Sequence, residues 1–279
     1  MIFQGKCLVK VALFCPCGYV GKYVFQKLKN DSENIVTGIS RETDLDAIKE
    51  KFDVLVYTAS VTSARRENAL KYITDNSISA VHVVEFAKKC NIKRIIYLST
   101  DEIYGQINAD EVNEQSEMVF PNIYATTKYL AERIIIESGI PYFILRSPGI
   151  VGNERGHNFI NEIMEKIKWE EDIHVYNGEK EFNNIVEIED LAQFFLKLIK
   201  YGSIPRSEVF VLGNCEKIEL LKIIDFIKKM YNSSSKVYND ENSKKRYFTL
   251  NIEKAVSYGY SSKKIWDILC DLKRVQNDE

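Results

Sequence analysis

The feature that most constrains the fold of this chain is a switch of hydrophobic period that repeats along residues 7–147. Short β-branched runs alternate with stretches whose apolar residues recur at helical spacing. "CLVKVALF" (7–14) reads as a buried strand, and Val20, Val24 and Leu28 then recur along a helix. "NIVTGIS" (34–40) predicts a second strand, "LDAIKEKF" (45–52) a short helix and "DVLVYTAS" (53–60) a third strand. "NSISAVHVVEFAKKC" (76–90) predicts a helix and "IKRIIYLST" (92–100) a strand. "YATTKYLAERIIIES" (124–138) and "PYFILRS" (141–147) repeat the pair. Successive βα units of this kind build an α/β fold, a doubly wound parallel sheet with helices on both faces. Right-handed crossovers then place the strand C-termini, and any ligand, along one edge.

Beyond residue 150 the rhythm loosens. "NFINEIMEKI" (158–167), "EIEDLAQFFLKLIK" (187–200) and "LLKIIDFIKKM" (220–230) predict helices. The polar "YNSSSKVYNDENSKK" (231–245) predicts a surface loop with little fixed structure.

The turn after the first strand, "LFCPCGYVGKYVF" (13–25), admits two readings. Cys15 and Cys17 could be metal ligands or a redox pair, but a structural zinc site takes four ligands, and redox motifs space their cysteines as CxxC. The three histidines, at 82, 157 and 174, are isolated, so no metal is expected. In the other reading, Cys15, Gly18 and Gly21 are the three positions of a glycine-rich phosphate turn between strand and helix. Gly18 would let the backbone approach a pyrophosphate at the helix N-terminus, and Gly21 would allow close packing of helix on strand.

Two further stretches carry chemistry. "YLSTDEIYG" (97–105) ends a predicted strand, and "NIYATTKYLAE" (122–132) sets Tyr124 and Lys128 at i, i+4 on one helix face. An ammonium beside a phenol favours the phenolate and would lower its pKa from about 10, which suits an acid/base near neutral pH. Thr100 supplies a hydroxyl that can hold the reacting oxygen against Tyr124. Asp101 and Glu102 could divide acid and base duties if burial raises one of them.

With these motifs the chain resembles the extended short-chain dehydrogenase/reductases, the nucleotide-sugar epimerase/dehydratase family. CxxGxxG stands in the cofactor loop, and "DVLVYTAS" (53–60) stands where the family has a "DVVIHLAA"-like strand. Asn76 opens the next helix as in the family. Tyr124 and Lys128 form the signature pair; "LRSPGIVGN" (145–153) and "NNIVEIEDLAQFF" (183–195) match later family segments. "LNIEKAVSYGYSSKKIWDIL" resembles the closing helical region. Three positions depart from the pattern. Cys15 replaces the first glycine, Asn183 stands where many members have a nucleotide-gripping arginine, and the 40–53 segment lacks an extra strand.

The resemblance implies a Rossmann sheet with a smaller C-terminal substrate-binding lobe. The dinucleotide-binding domain would take residues 1–152 and about 184–212, and the lobe 153–183 and 213–279. Thr100 and Tyr124 would face the 4-hydroxyl or 4-keto group of a nucleotide sugar, and Lys128 would hold the nicotinamide ribose. The dinucleotide would lie against Cys15, Gly18, Tyr19, Val20, Gly21, Ser40, Arg41, Thr58, Ala59, Ser60, Lys128 and Pro148. About 20 residues past the glycine turn NAD enzymes place an acid on the ribose. Ser40 and Arg41 occupy that place here, which favours NADP over NAD.

The expected function is hydride transfer at C4 of a nucleotide sugar with Tyr124 as acid/base, by epimerisation or dehydration. The alternatives are an NADP-dependent 4-keto-sugar reductase and a non-catalytic NAD(P)-binding sensor or scaffold. "STDEIYG" is similar to the dehydratase version, while the compact "ETDLDAIKEKFDVLVYTASVT" (42–62) is more like the reductases. A formal charge of −2 leaves no electrostatic footprint for nucleic acid or an anionic membrane. Six cysteines scattered in a lysine-rich chain, without a spanning apolar run or a secretory leader, point to the cytoplasm. The resemblance also implies a homodimer, because "SISAVHVVEFAKKC" and "YLAERIIIES" lie on the two helices that pair across the two-fold in that family, and Ile134, Ile135 and Ile136 are more apolar than one buried stripe needs.

Overall fold

The computed structural model describes residues 8–152, 158–202, 206–241, 243 and 248–277. Cys7, Asn153, His157 and the basic run Lys244, Lys245 and Arg246 lie outside the described residues. The chain divides into two compact units. The first comprises Met1–Ile103, Pro121–Arg146 and Ala192–Phe210; the second Tyr104–Phe120, Ser147–Leu191 and Val211–Glu279.

The first unit is built on a six-stranded sheet. Its first strands are β1 (Val9–Phe14), β2 (Asn34–Ile39), β3 (Val54–Tyr57) and β4 (Arg94–Thr100). Strands Tyr142–Ser147 and Glu208–Val211 continue the sheet beyond β4, while β1 and β2 lie beyond β3 on the other side. The pairs β1–β2, β1–β3 and β3–β4 are parallel, with Val11 opposite both Val36 and Val54, and Leu55 opposite Ile95. The chain therefore steps outward from β1 to β2 and returns past β1 to β3. That reversal is the topological switch point at which doubly wound sheets bind ligands.

Burial on both faces explains the continuous apolar strands. Ala12, Leu55, Tyr57, Ile95, Tyr97 and Ile144 alternate onto one face. There they meet Val83, Phe86 and Ala87 of helix α3 (Ser79–Lys89) and Ala131 and Ile135 of helix α4 (Ile123–Glu137). The intervening residues Val11, Leu13, Val54, Val56 and Phe143 are equally buried, on the opposite face. Phe143 there packs tilted against Phe210 at 5.7 Å between centroids, and Phe210 meets Phe194 edge-to-face at 5.6 Å. The architecture is the α/β, doubly wound sheet that the period switch predicts.

Helix α1 (Tyr19–Asn30) follows β1 directly, burying Gly21, Val24 and Leu28. A further helix begins earlier than its hydrophobic pattern suggests. Asn68 caps α2 (Ala69–Tyr72), its side chain accepting from Lys71 N at 2.9 Å. A π-helical segment, Ile73–Ile78, joins α2 to α3. Asn76 thus lies inside a widened turn instead of at a helix start, and single π turns often sit at functional sites.

Two local expectations change. Residues 45–52 form turns and no helix: Asp44 accepts from the Asp46 amide at 2.9 Å, a local bond that competes with helical pairing. Leu45, Ile48 and Phe52 still pack on the core. Residues Val237–Asp240, expected to be loop, form a strand parallel to Ile173–Tyr176.

The second unit has its own core. Ile160, Ile163, Met164 and Ile167 of helix Phe159–Lys168 meet Ile223, Ile224 and Ile227 of helix Leu220–Tyr231. Ile265, Ile268 and Leu269 of the last helix complete the cluster.

Candidate active site

The turn after β1 keeps the backbone path of a glycine turn despite its cysteine. Cys15 has φ 68°, in the left-handed region that favours glycine. Its amide donates to Ile39 O at 2.9 Å, and its carbonyl accepts from Gly18 N at 3.3 Å. A Cβ on Gly21 would come within 1.9 Å of that same carbonyl oxygen and 2.9 Å of Thr58 Oγ1. Thr58 in turn donates to Phe14 O at 3.0 Å, locking the end of β3 to the end of β1. Gly21 is therefore required by close packing, as a dinucleotide turn demands. A Cβ on Gly18 would lie 2.9 Å from Cys15 Sγ, so the thiol leans over the residue that N-caps α1. Backbone and glycines fit a pyrophosphate at this helix N-terminus. Cys15 adds a side chain to the cradle.

Tyr124 and Lys128 project from the first turns of α4, which Asn122 caps by accepting from Ala125 N at 2.8 Å. The Tyr124 phenol is buried against Val61 and Tyr72, and the side chains of Thr100 and Ser60 act on it. Thr100 ends β4, where the chain turns into the 3-10 segment Asp101–Tyr104. Glu102 N donates to Thr100 Oγ1 at 3.2 Å. The Glu102 carboxylate is held at both oxygens, by Ser63 Oγ at 2.6 Å and by Asn122 Nδ2 at 2.8 Å. Ser60 and Val61 are themselves fixed by Asn76, whose Oδ1 accepts from Val61 N at 2.8 Å and from Ser60 Oγ at 3.3 Å. Asn76 Nδ2 reaches Thr127 Oγ1 of α4 at 3.1 Å, closing a ring of polar contacts around the phenol.

The electrostatics differ from the simple picture of an ammonium lowering a phenol. Burial, and next the Glu102 carboxylate, push the Tyr124 phenol well above its ordinary value, while Thr100 and Ser60 pull against that rise. Lys128 is 1% exposed; its Nζ donates to Leu98 O at 2.7 Å and lies 4.3 Å from the Tyr97 ring centre. Burial pushes its pKa down to about 7, and Glu132, one turn along α4, works against that. The ammonium is engaged by the strand and the ring. Glu132 is itself buried, paired with Arg146 at 2.8 Å and accepting from Ser99.

At the end of β2, Ser40 is tied into its own turn: its amide donates to Thr43 Oγ1 at 3.0 Å. Arg41 is ion-paired with Asp75 at 3.1 Å. Tyr19, Val20, Ala59 and Asp101 lie half-buried on the segments that form the turn and the strand ends. Pro148 is buried in the second unit, where Ser147 Oγ donates to its carbonyl at 3.1 Å. Asn183, also in the second unit, is consumed by structure: its Nδ2 donates to Asn214 O and Leu250 O, and its Oδ1 accepts from Leu250 N. Among the described residues no cluster of His, Cys, Asp or Glu could hold a metal, and Cys15 and Cys17 are free thiols.

Sequence reading missed Ser63, Asn122 and Asp75, and gave Asn76 no role. Asn122 carried a signal: a helix N-cap two residues before a candidate acid/base points its side chain at the same turn. Ser63 and Asp75 carried none, because their partners are distant in sequence.

The comparisons with known proteins agree with this arrangement. The family model described as NAD dependent epimerase/dehydratase family matches residues 17–213. The dTDP-D-glucose 4,6-dehydratase of Homo sapiens is 24% identical over 233 residues, 78% of this chain and 66% of that protein. A trifunctional UDP-glucose 4,6-dehydratase, epimerase and reductase of Arabidopsis thaliana is 24% identical over 241 residues, 79% of this chain. The chain spans only 35% of that relative's length, and 61% of an uncharacterised Methanocaldococcus jannaschii relative's. In fold, it superposes on the UDP-glucuronic acid 4-epimerase from Bacillus cereus in complex with NAD with a TM-score of 0.82. That alignment is 18% identical and covers 96% of this chain and 99% of the other. The match of a family model over most of the chain, on the turn, strand end and helix just described, has one meaning: this protein belongs to the NAD dependent epimerase/dehydratase family.

Proposed function

We propose that the protein is an NAD(P)-dependent enzyme acting at C4 of a nucleotide sugar, with Tyr124 as the acid/base. The observation that carries this reading is the buried phenol on which Thr100, at the end of β4, and Ser60 act, with Lys128 one turn along the same helix. A phenol that moves a proton to or from a sugar oxygen needs a fixed partner for that oxygen, and Thr100 supplies it. Gly18, Gly21 and the N-terminus of α1 would hold the dinucleotide's pyrophosphate, and Lys128 would turn from Leu98 O to its ribose. When bound, the nicotinamide supplies the acceptor and donor of hydride. Tyr124 takes the proton of the 4-hydroxyl during oxidation and returns one to the 4-oxygen during reduction.

One observation favours a second reading, the one-way 4-keto-sugar reductase. Burial and Glu102 keep the Tyr124 phenol protonated at neutral pH, and a reductase begins its cycle from the proton-donating form. The relatives named as dehydratases keep open a role for Asp101 and Glu102 in eliminating water.

A homodimer is part of the same proposal. Ile135 belongs to the core, with Ile134 and Ile136 packed partly against it, so the Ile run is no free stripe. The exposed apolar residues are instead Leu70, Ile73, Ile78 and Val81 along α2 to α3, and Ile123 and Leu130 on α4. The test of function is direct: UDP- and dTDP-sugars are incubated with NAD or NADP, and products are read by mass spectrometry. Conversion of a nucleotide sugar that Tyr124→Phe fails to perform supports the proposal. No conversion in either direction, with cofactor demonstrably bound, leaves the sensor or scaffold role in its place.

A further inference from the structure

The acid expected at the end of β2 in an NAD site is missing from the sequence, yet the structure brings a carboxylate to that place from another element. Asp75, in the π turn after α2, is ion-paired through its Oδ2 with both Arg41 at 3.1 Å and Lys71 at 2.7 Å. Its side chain is 12% exposed, whereas that of Arg41 is 62% exposed. The pair lies at the carboxyl ends of the central strands. Asp75 O accepts from Ser79 Oγ at 2.6 Å, and Ser79 Oγ meets Tyr57 OH at 2.5 Å at the end of β3. Cys15, whose amide donates to Ile39 O at 2.9 Å, and Arg41, two residues beyond that strand end, both act with Asp75 on the charge of the Tyr57 hydroxyl.

We propose that Asp75 is the residue that sets the choice between NAD and NADP in this protein. The inference rests on the dinucleotide reading above. While paired, Asp75 neutralises Arg41 and offers a carboxylate that ribose hydroxyls can donate to. A 2′-phosphate entering here meets a like charge and must displace Asp75 from both cations. NAD is therefore the favoured partner of the unaltered chain. Without the carboxylate, Arg41 and Lys71 become two unneutralised donors facing the same space, the arrangement that grips a phosphate. Glu42, the other carboxylate acting on Arg41, is exposed and bonded to Ser40, so it does not take this part.

The experiment is calorimetric titration of the full chain with NAD and with NADP, in unaltered protein, Asp75→Asn, Arg41→Ala and Glu42→Gln. Asp75→Asn is expected to shift the affinity ratio toward NADP by roughly tenfold or more, the size of one charge-assisted contact. Arg41→Ala in the Asp75→Asn background should reverse most of that shift, and Glu42→Gln should leave the ratio in place. Asn keeps the shape of Asp, and circular dichroism of each variant confirms its fold. Binding with a ratio unmoved by Asp75→Asn overturns this inference and leaves the dinucleotide site standing. Failure of the unaltered chain to bind either dinucleotide overturns both.

Discussion

Asn122 joins the acid of the strand end to the helix of the tyrosine: its Nδ2 donates to Glu102 Oε2 at 2.8 Å while its Oδ1 caps α4 at Ala125 N, also at 2.8 Å. One side chain thus sets the position of Glu102 relative to Tyr124, whose phenol feels that carboxylate more than any other charge. The cap and the site are one construction.

Glu102→Gln separates the chemistries. If the enzyme eliminates water, the amide cannot take the C5 proton, and a bound sugar nucleotide would still reduce the dinucleotide, seen by absorbance, without yielding a 6-deoxy product. An epimerase or reductase needs only Thr100, Tyr124 and Lys128 and should keep most of its rate. Tyr124→Phe should cost about 10²–10⁴ in rate under every version, the worth of a positioned proton donor. Its fold should hold, because only one hydroxyl is lost.

The Cys15 turn gives a pair of stability tests. Gly21→Ala forces a methyl into the Cys15 carbonyl, 1.9 Å from its ideal position, and should destabilise the protein by about 1–3 kcal/mol. Cys15→Gly removes a side chain from a left-handed residue and should gain up to about 1 kcal/mol. Gly18→Ala meets Cys15 Sγ, so its cost should shrink in the Cys15→Gly background. Denaturant melts of the single and double variants read all three. Additive costs at 15 and 18 would show that the thiol does not lean over Gly18.

Lys128 gives a pH test on the cofactor-free protein. Its pKa is about 7 in the fold and near its ordinary value when unfolded, so between those values the unfolded chain binds the extra proton. Stability should rise with pH from about 7 toward 10 and fall as the lysine is protonated in place. Lys128→Met should flatten this rise. Equal pH slopes for the two proteins, measured by urea denaturation at pH 7, 8 and 9, would show that burial does not shift this lysine.

The proposed dimer is tested by charge. Leu130 is exposed on the outer face of α4, so Leu130→Glu should leave the monomer fold intact while giving half the mass by light scattering. A single mass for both proteins would remove these helices from any interface.

The sheet was legible because its central strands are apolar runs buried on both faces, and the helices between them are amphipathic stretches of regular period. "IKRIIYLST" and "PYFILRS" became strands within a residue or two of their predicted limits, and "DVLVYTAS" became a shorter one, Val54–Tyr57, since local pattern and final burial agree there. The tyrosine and lysine were legible for the same reason: residues four apart share a helix face wherever that helix packs.

What the sequence by itself determined, then, is the alternation, the glycine at 21 and the pair on α4, all of them properties of short stretches. Tertiary structure alone decided the rest. Val237–Asp240 became a strand because Ile173–Tyr176 lies beside it, although its own residues read as loop. Arg41 met Asp75, and Ser63 met Glu102, only because β2, the π turn and the end of β4 converge at one edge of the sheet. The reversal of the phenol's expected shift has the same origin. Spacing set Lys128 beside Tyr124, but its buried ammonium is engaged by Leu98 O and the Tyr97 ring, and burial and Glu102 raise the phenol. Desolvation and long-range charge depend on what the whole fold brings together, and no local pattern encodes them.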